Sequence, residues 1–176
     1  MLVRERVVST ASEPRGETGV VNVVVIDETG TLGAMDRWAE LVGAVATAEA
    51  VVGPAEINVT FVGVESMAEL NAEHMGIDGP TDVLSFPIDD DEAPATPAQP
   101  RFVGDIVVCP SVASANAPDH AGSVDDELAL LLVHGTLHLL GHDHGEPGER
   151  DRMWAAERRH LDAEWGALGR DPWGSD

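Results

Sequence analysis

The chain has 176 residues, 43% of them hydrophobic, and a formal net charge of -22 from 32 acidic against 10 basic side chains. That length and apolar content suit one domain with a core and exclude wholesale disorder, while no run of about 18 apolar residues is present to cross a membrane as a helix. So acidic a chain repels polyanions at low salt, which counts against a general nucleic-acid-binding module and against DNA as a partner.

Residues 1–19 are polar, bear Gly, Pro and Ser, show no period, and read as a flexible N-terminal arm. The arm has no apolar stretch of the secretory kind, and the single cysteine, Cys109, fits a reducing compartment, so a cytoplasmic location is expected. VVNVVVI at 20–26 is β-branched and almost wholly apolar, as a strand buried on both faces requires. Met35, Trp38, Leu41, Val42 and Val45 recur at helical spacing and predict a helix from Met35 to about Val52. Ile57, Val59 and Phe61 alternate within a strand at 56–64, and Met67 and Leu70 mark a short helix over 65–73. Gly79-Pro80-Thr81 is a turn leading to a short strand, DVLSFP, that Pro87 confines to an edge or an end. DDDEAPATPAQP at 89–100 reads as a solvated loop, VGDIVVC at 103–109 as a strand, and 111–119 as a short helix or loop. Ser123, followed by Asp125, Asp126 and Glu127, is a helix N-terminus; the helix runs to Gly141, a natural stop. A last helix spans about 149–165, with Met153, Trp154 and Leu161 inward. This order predicts one α+β domain over 20–166, a small, mostly parallel mixed sheet packed with helices, followed by a tail at 167–176.

Four of the 7 histidines fall in HGTLHLLGHDH at 134–144. His134 and His138, four apart, project from one helix face and can share one zinc ion at about 2.0–2.1 Å. If the helix stops at Gly141, the chain folds back and His144 approaches the same ion; were the helix to continue, His142 would be the third ligand instead. Glycine favours the stop, hence His144, with His142 left as a group of the surrounding pocket. Three neutral imidazoles leave a position open, the pattern of a catalytic zinc centre. The spacing is that of the H-E-x-x-H-x-x-G-x-x-H zinc peptidases, but the glutamate that serves them as base is here Gly135, so peptide hydrolysis by that route is disfavoured.

The same segment resembles the H-G-x-L-H-L-x-G-Y-D-H signature of the bacterial endoribonuclease YbeY family. GPTDVLSFP at 79–87 is similar to the family's P-T-D-V-L-S-F-P block, GDIVVCP at 104–110 to its G-D-I strand, and Met153 and Glu157 to its M-x-x-x-E. The resemblance covers about residues 56–162. It implies a metal-binding helix of the zincin type, with one Zn2+ per chain held by His134, His138 and His144. It also implies a single-strand-specific endoribonuclease of small-subunit (16S) rRNA maturation and ribosome quality control, with rRNA and small-subunit ribosomal proteins as partners and no membrane. Two positions depart from the family: His142 replaces its tyrosine, and Met75 stands where many members carry an arginine suited to gripping phosphate. A non-catalytic assembly factor with a structural metal, or a zinc hydrolase of another substrate class, are the competing expectations. If a ribose hydroxyl must be deprotonated, His142 and Asp143 are the candidate bases, although Asp143 could instead orient a ligand ring or cap a turn. Thr81 and Asp82 are expected to set a turn, Asp105 and Ser85 to be structural, and Cys109 to be a buried small hydrophobe.

Overall fold

The computed structural model describes residues 5–10, 20–88, 96 and 98–174. Five strands form one mixed sheet: β1 (Glu5–Thr10), β2 (Val21–Asp27), β3 (Ala55–Phe61), β4 (Val83–Pro87) and β5 (Arg101–Val108), in the order β1-β2-β3-β5-β4. The two central pairings, β2 with β3 and β3 with β5, are parallel; the two outer ones are antiparallel. The parallel character expected from the sequence is therefore confined to the centre of the sheet. Within the flexible arm expected over residues 1–19, Glu5–Thr10 forms a strand that pairs with β2 from Glu5↔Asp27 to Thr10↔Asn22. Its composition gave no strand period because an edge strand draws its order from its neighbour's backbone. Residues 11–19, and most of the acidic loop expected at 89–100, lie outside the described residues.

Five helices complete the domain: α1 (Asp36–Ala48), α2 (Val64–Met75), α3 (Pro110–Asn116), α4 (Val124–Leu139) and α5 (Pro147–Glu164). The main core joins Val21, Val23 and Val25 of β2 and Ile57 and Val59 of β3 to Trp38, Val42 and Val45 of α1 and to Leu128, Leu132 and Leu137 of α4. On the other sheet face, Leu84 and Val107 meet Met67 of α2 and the fully buried Cys109 in a smaller cluster. Period-two alternation accounts for this division, since Ile106 and Val108 face the main core on either side of Val107. α4 is buried almost all round, as its run of leucines demands. Ser123 caps it by accepting a hydrogen bond from the Asp126 backbone N–H at 3.1 Å. Arg37 binds Asp125 through two 2.8 Å bonds and lies 4.1 Å above Trp38, which stacks on Trp165 at 5.4 Å, so α1, α4 and the end of α5 are clamped together.

One irregularity lies beneath the helix that bears the histidines. The β3–β5 register slips between Glu56 and Ile57, which pair with Phe102 and Gly104, leaving Val103 as an extra residue. Gly104 takes φ +153, and a Cβ there would press on the Phe86 carbonyl oxygen, on Leu139 Cδ2 at 2.8 Å and on Pro87 Cα at 3.1 Å. Gly135, on the facing side of α4, likewise admits Ile106 so closely that a Cβ would stand 2.9 Å from it. The helix therefore lies almost directly on β4 and β5, and Ser85 Oγ donates across the gap to the Gly135 carbonyl at 3.3 Å.

Asp27 closes β2 with a carboxylate that is 3% exposed and accepts from Thr29 N–H, Thr29 Oγ1–H, Gly30 N–H and Leu32 N–H. Burial alone would raise its pKa; the hydrogen bonds outweigh burial and hold it below the ordinary value of 3.8. Asp27→Asn is expected to lose about 1–3 kcal/mol at neutral pH. Because the folded-state pKa is depressed, this advantage of the wild type is complete above the unfolded-state value and fades as pH falls through the folded one. Urea titrations at pH 7 and below pH 3 check this; equal stability of the two proteins at pH 7 would refute it.

Candidate metal centre

α4 places His134 and His138 one turn apart, with ring centroids 4.6 Å apart. The helix then ends in a tight reversal. Gly141 adopts φ +88, its N–H bonds the His138 carbonyl at 3.1 Å, and the His142 N–H reaches the Leu137 carbonyl at 3.0 Å. This reversal returns His144 to within 4.9 Å of the His138 ring and 5.6 Å of the His134 ring. Ligand atoms of His134, His138 and His144 all lie within 4.8 Å of one another, and among the described residues this is the one such group of potential metal ligands. The three line a cleft of about 290 Å³ whose other walls are Met75, Val83, Ser85 and Pro87.

The donor set suits a borderline metal cation. His134 Nδ1 lies 2.7 Å from Glu157 Oε1, and that carboxylate, on a residue 3% exposed, accepts a hydrogen bond from Nδ1–H and leaves Nε2 for a metal. Glu157 is itself held by the Trp173 indole N–H, which donates to Oε2 at 2.6 Å. The His138 pKa is lowered by burial and then by the neighbouring His134 and His144, which favours the neutral, ligating ring.

The remaining candidates are placed differently. His142 turns away from the cluster; its Nε2 is 3.1 Å from Glu49 Oε2 at the end of α1. The same carboxylate bonds His160 Nε2 at 2.7 Å and Arg159, so Glu49 ties the reversal, α1 and α5 together. Burial raises the Glu49 pKa, but the bonds from His160 and His142 prevail and lower it, so it remains a carboxylate. Asp143 is exposed and accepts the His144 backbone N–H at 2.7 Å; that bond, first among its surroundings, lowers its pKa. It shapes the turn that delivers His144. Met75 does line the cleft, 49% exposed, so the face where the family's arginine is expected is apolar here. Asp105 accepts from Asn58 within the sheet, and Met153 is buried in the main core. The parts not foreseen are Glu49, the anchoring of Glu157 by Trp173, and the docking of the tail. Gly169 and Arg170, in the tail, bond back to Asp126 and Ala121 at the start of α4 and just before it.

The family model described as Endoribonuclease YbeY matches residues 26–164. The Endoribonuclease YbeY of Salinispora tropica is 51% identical over 118 residues, 63% of this chain and 74% of that protein. The Endoribonuclease YbeY of Thermobifida fusca is 40% identical over 143 residues, 80% of this chain and 92% of that protein. The solution structure of TM1509 from Thermotoga maritima superimposes with a TM-score of 0.56 at 26% identity, covering 83% of this chain and 89% of that one. Matched along most of its length and bearing the three-histidine reversal in the matched region, the chain belongs to the endoribonuclease YbeY family.

Proposed function

We propose that the protein is a zinc-dependent, single-strand-specific endoribonuclease of the cytoplasm that acts in 16S rRNA maturation and ribosome quality control, on rRNA presented with small-subunit ribosomal proteins. The nuclease activity rests on family membership. The observation that carries the mechanism is the convergence of three imidazoles on the wall of an open cleft, with no fourth protein ligand in the group among the described residues. When bound, zinc would supply Lewis-acid polarisation of a phosphoryl oxygen and activation of water. His134, His138 and His144 would hold it, with Glu157 fixing the tautomer and aim of His134 and Trp173 fixing Glu157. His142 and Asp143 are assigned to positioning the His144 turn, because Glu49 and the His144 N–H already engage them. Gly135 supplies no base, which sets the centre apart from the zinc peptidases.

The test is cleavage of a single-stranded 16S rRNA fragment by zinc-loaded protein, with and without a chelator. Cleavage that is abolished by chelation and restored by zinc supports the reading. Glu157→Gln is expected to lower zinc affinity or cleavage about 10- to 100-fold, and wild-type behaviour would remove Glu157 from the site. Met75 on the cleft wall favours one other reading, an assembly factor that retains metal without cleaving; metal-replete wild type that leaves rRNA intact decides for it.

A further inference from the structure

A second cavity, of about 250 Å³, adjoins the metal cleft and shares Val83 and His134 with it. Its walls include Trp154 of α5 and Trp173 of the docked tail, with Asp82, His120, Leu130 and Leu131. Both indoles carry an arginine on the ring face: the Arg150 guanidinium lies 4.9 Å from the Trp154 ring and that of Arg158 4.7 Å from Trp173. Arg150, Trp154 and Arg158 are spaced by four along α5 and so share one face. Tryptophan and arginine side by side are the residue types that stack on bases and meet a nucleic-acid backbone; here the two indoles line the slot and the arginines lie outside it.

The polar groups define what the slot accepts. His120 Nδ1 lies 2.9 and 3.0 Å from the two oxygens of Glu127, which is fully buried and also accepts the Ala121 N–H. That buried carboxylate holds the imidazole through Nδ1 and fixes the ring in the wall of the slot. Asp82 adds a carboxylate, whose Oδ1 takes the Val83 N–H and whose Oδ2 has only a long 3.4 Å contact from Asn116. The Asp82 and Glu157 carboxylates and the two indoles lining the slot repel a phosphate and suit a flat, neutral group that donates hydrogen bonds.

We infer that this cavity is a subsite for a nucleobase bearing an exocyclic amino group, next to the phosphodiester held at the metal centre. Its biological meaning rests on the nuclease reading above, and Trp154 and Asp82 become specificity-determining residues for that reaction.

Binding is read without cleavage. Cytidine, uridine and ribose 5-phosphate are titrated separately into the 15N-labelled full chain, and the indole N–H signals are followed. Cytidine is expected to shift the Trp154 and Trp173 signals saturably, leave those of Trp38 and Trp165 in place, and bind more tightly than uridine. Trp154→Ala should weaken cytidine about five- to hundredfold, read at Trp173, and Trp154→Phe should retain most of the affinity. Ribose 5-phosphate producing the same shifts, uridine matching cytidine, or Trp154→Ala binding as the wild type does would each overturn the assignment. Cytidine binding without rRNA cleavage sinks the nuclease reading and leaves the subsite; cleavage without cytidine binding sinks the subsite alone.

Discussion

His138→Ala is expected to abolish stoichiometric zinc binding and to lower rRNA cleavage by more than the roughly hundredfold ceiling set for loss of a supporting partner such as Glu157. His138 is the central ring of the three, within 4.6 Å of one neighbour's centroid and 4.9 Å of the other's. Removing it leaves two imidazoles on opposite sides of a gap. The fold should survive, since alanine is the best helix former and the His138 ring faces the cleft. The decisive comparison is thermal. A ligand present at 100 times its Kd adds about 2.7 kcal/mol to the folded state, so zinc should raise the melting temperature of the wild type and leave that of His138→Ala unmoved. The paired variants His142→Ala and His144→Ala extend the test, with the larger loss of zinc expected for His144→Ala. Unchanged metal content in His138→Ala would overturn the assignment of the centre.

Gly104→Ala is expected to have the largest effect on stability, about 3 kcal/mol or more. Two terms combine: a φ of +153 that an L side chain resists, and a methyl group driven against the Phe86 carbonyl oxygen and Leu139 Cδ2. Neither neighbour can retreat cheaply, because Phe86 is paired in β4 and Leu139 closes α4 one residue beyond His138. Gly30→Ala is the control, since Gly30 also has a positive φ, +65, but open space around it, and should lose only about 1–2 kcal/mol of backbone preference. Urea unfolding of both variants checks the pair. A Gly104→Ala protein no weaker than Gly30→Ala would show that the bulge yields.

What was legible in the sequence is what local chemistry dictates. Ser123 announced the start of α4, Gly141 its reversal and Pro87 the edge position of β4, each through its own backbone requirement. The grouping of His134, His138 and His144 followed from spacing plus that reversal. Long-range pairings were not legible. β5 inserts between β3 and β4, and β1 finds β2 across residues with no pattern of their own. Glu49 meets His142 across 93 positions, and Glu127 reads locally as one more acid of a helix N-terminus, although it is fully buried beneath His120. Trp173 lay in a tail to which no role was given, yet its indole bonds the carboxylate that meets His134.

That chain of bonds has a vectorial consequence. His134, His138 and His144 are synthesised before Glu157, and Glu157 before Trp173. A nascent polypeptide therefore presents all three imidazoles while the carboxylate that aims the first of them, and the indole that steadies the carboxylate, are still to be translated. Under the proposed zinc chemistry, an ion captured at that stage would exchange more readily than one captured after the tail has docked, so the finished chain would hold a metal better against competing thiols and chelators than the emerging one.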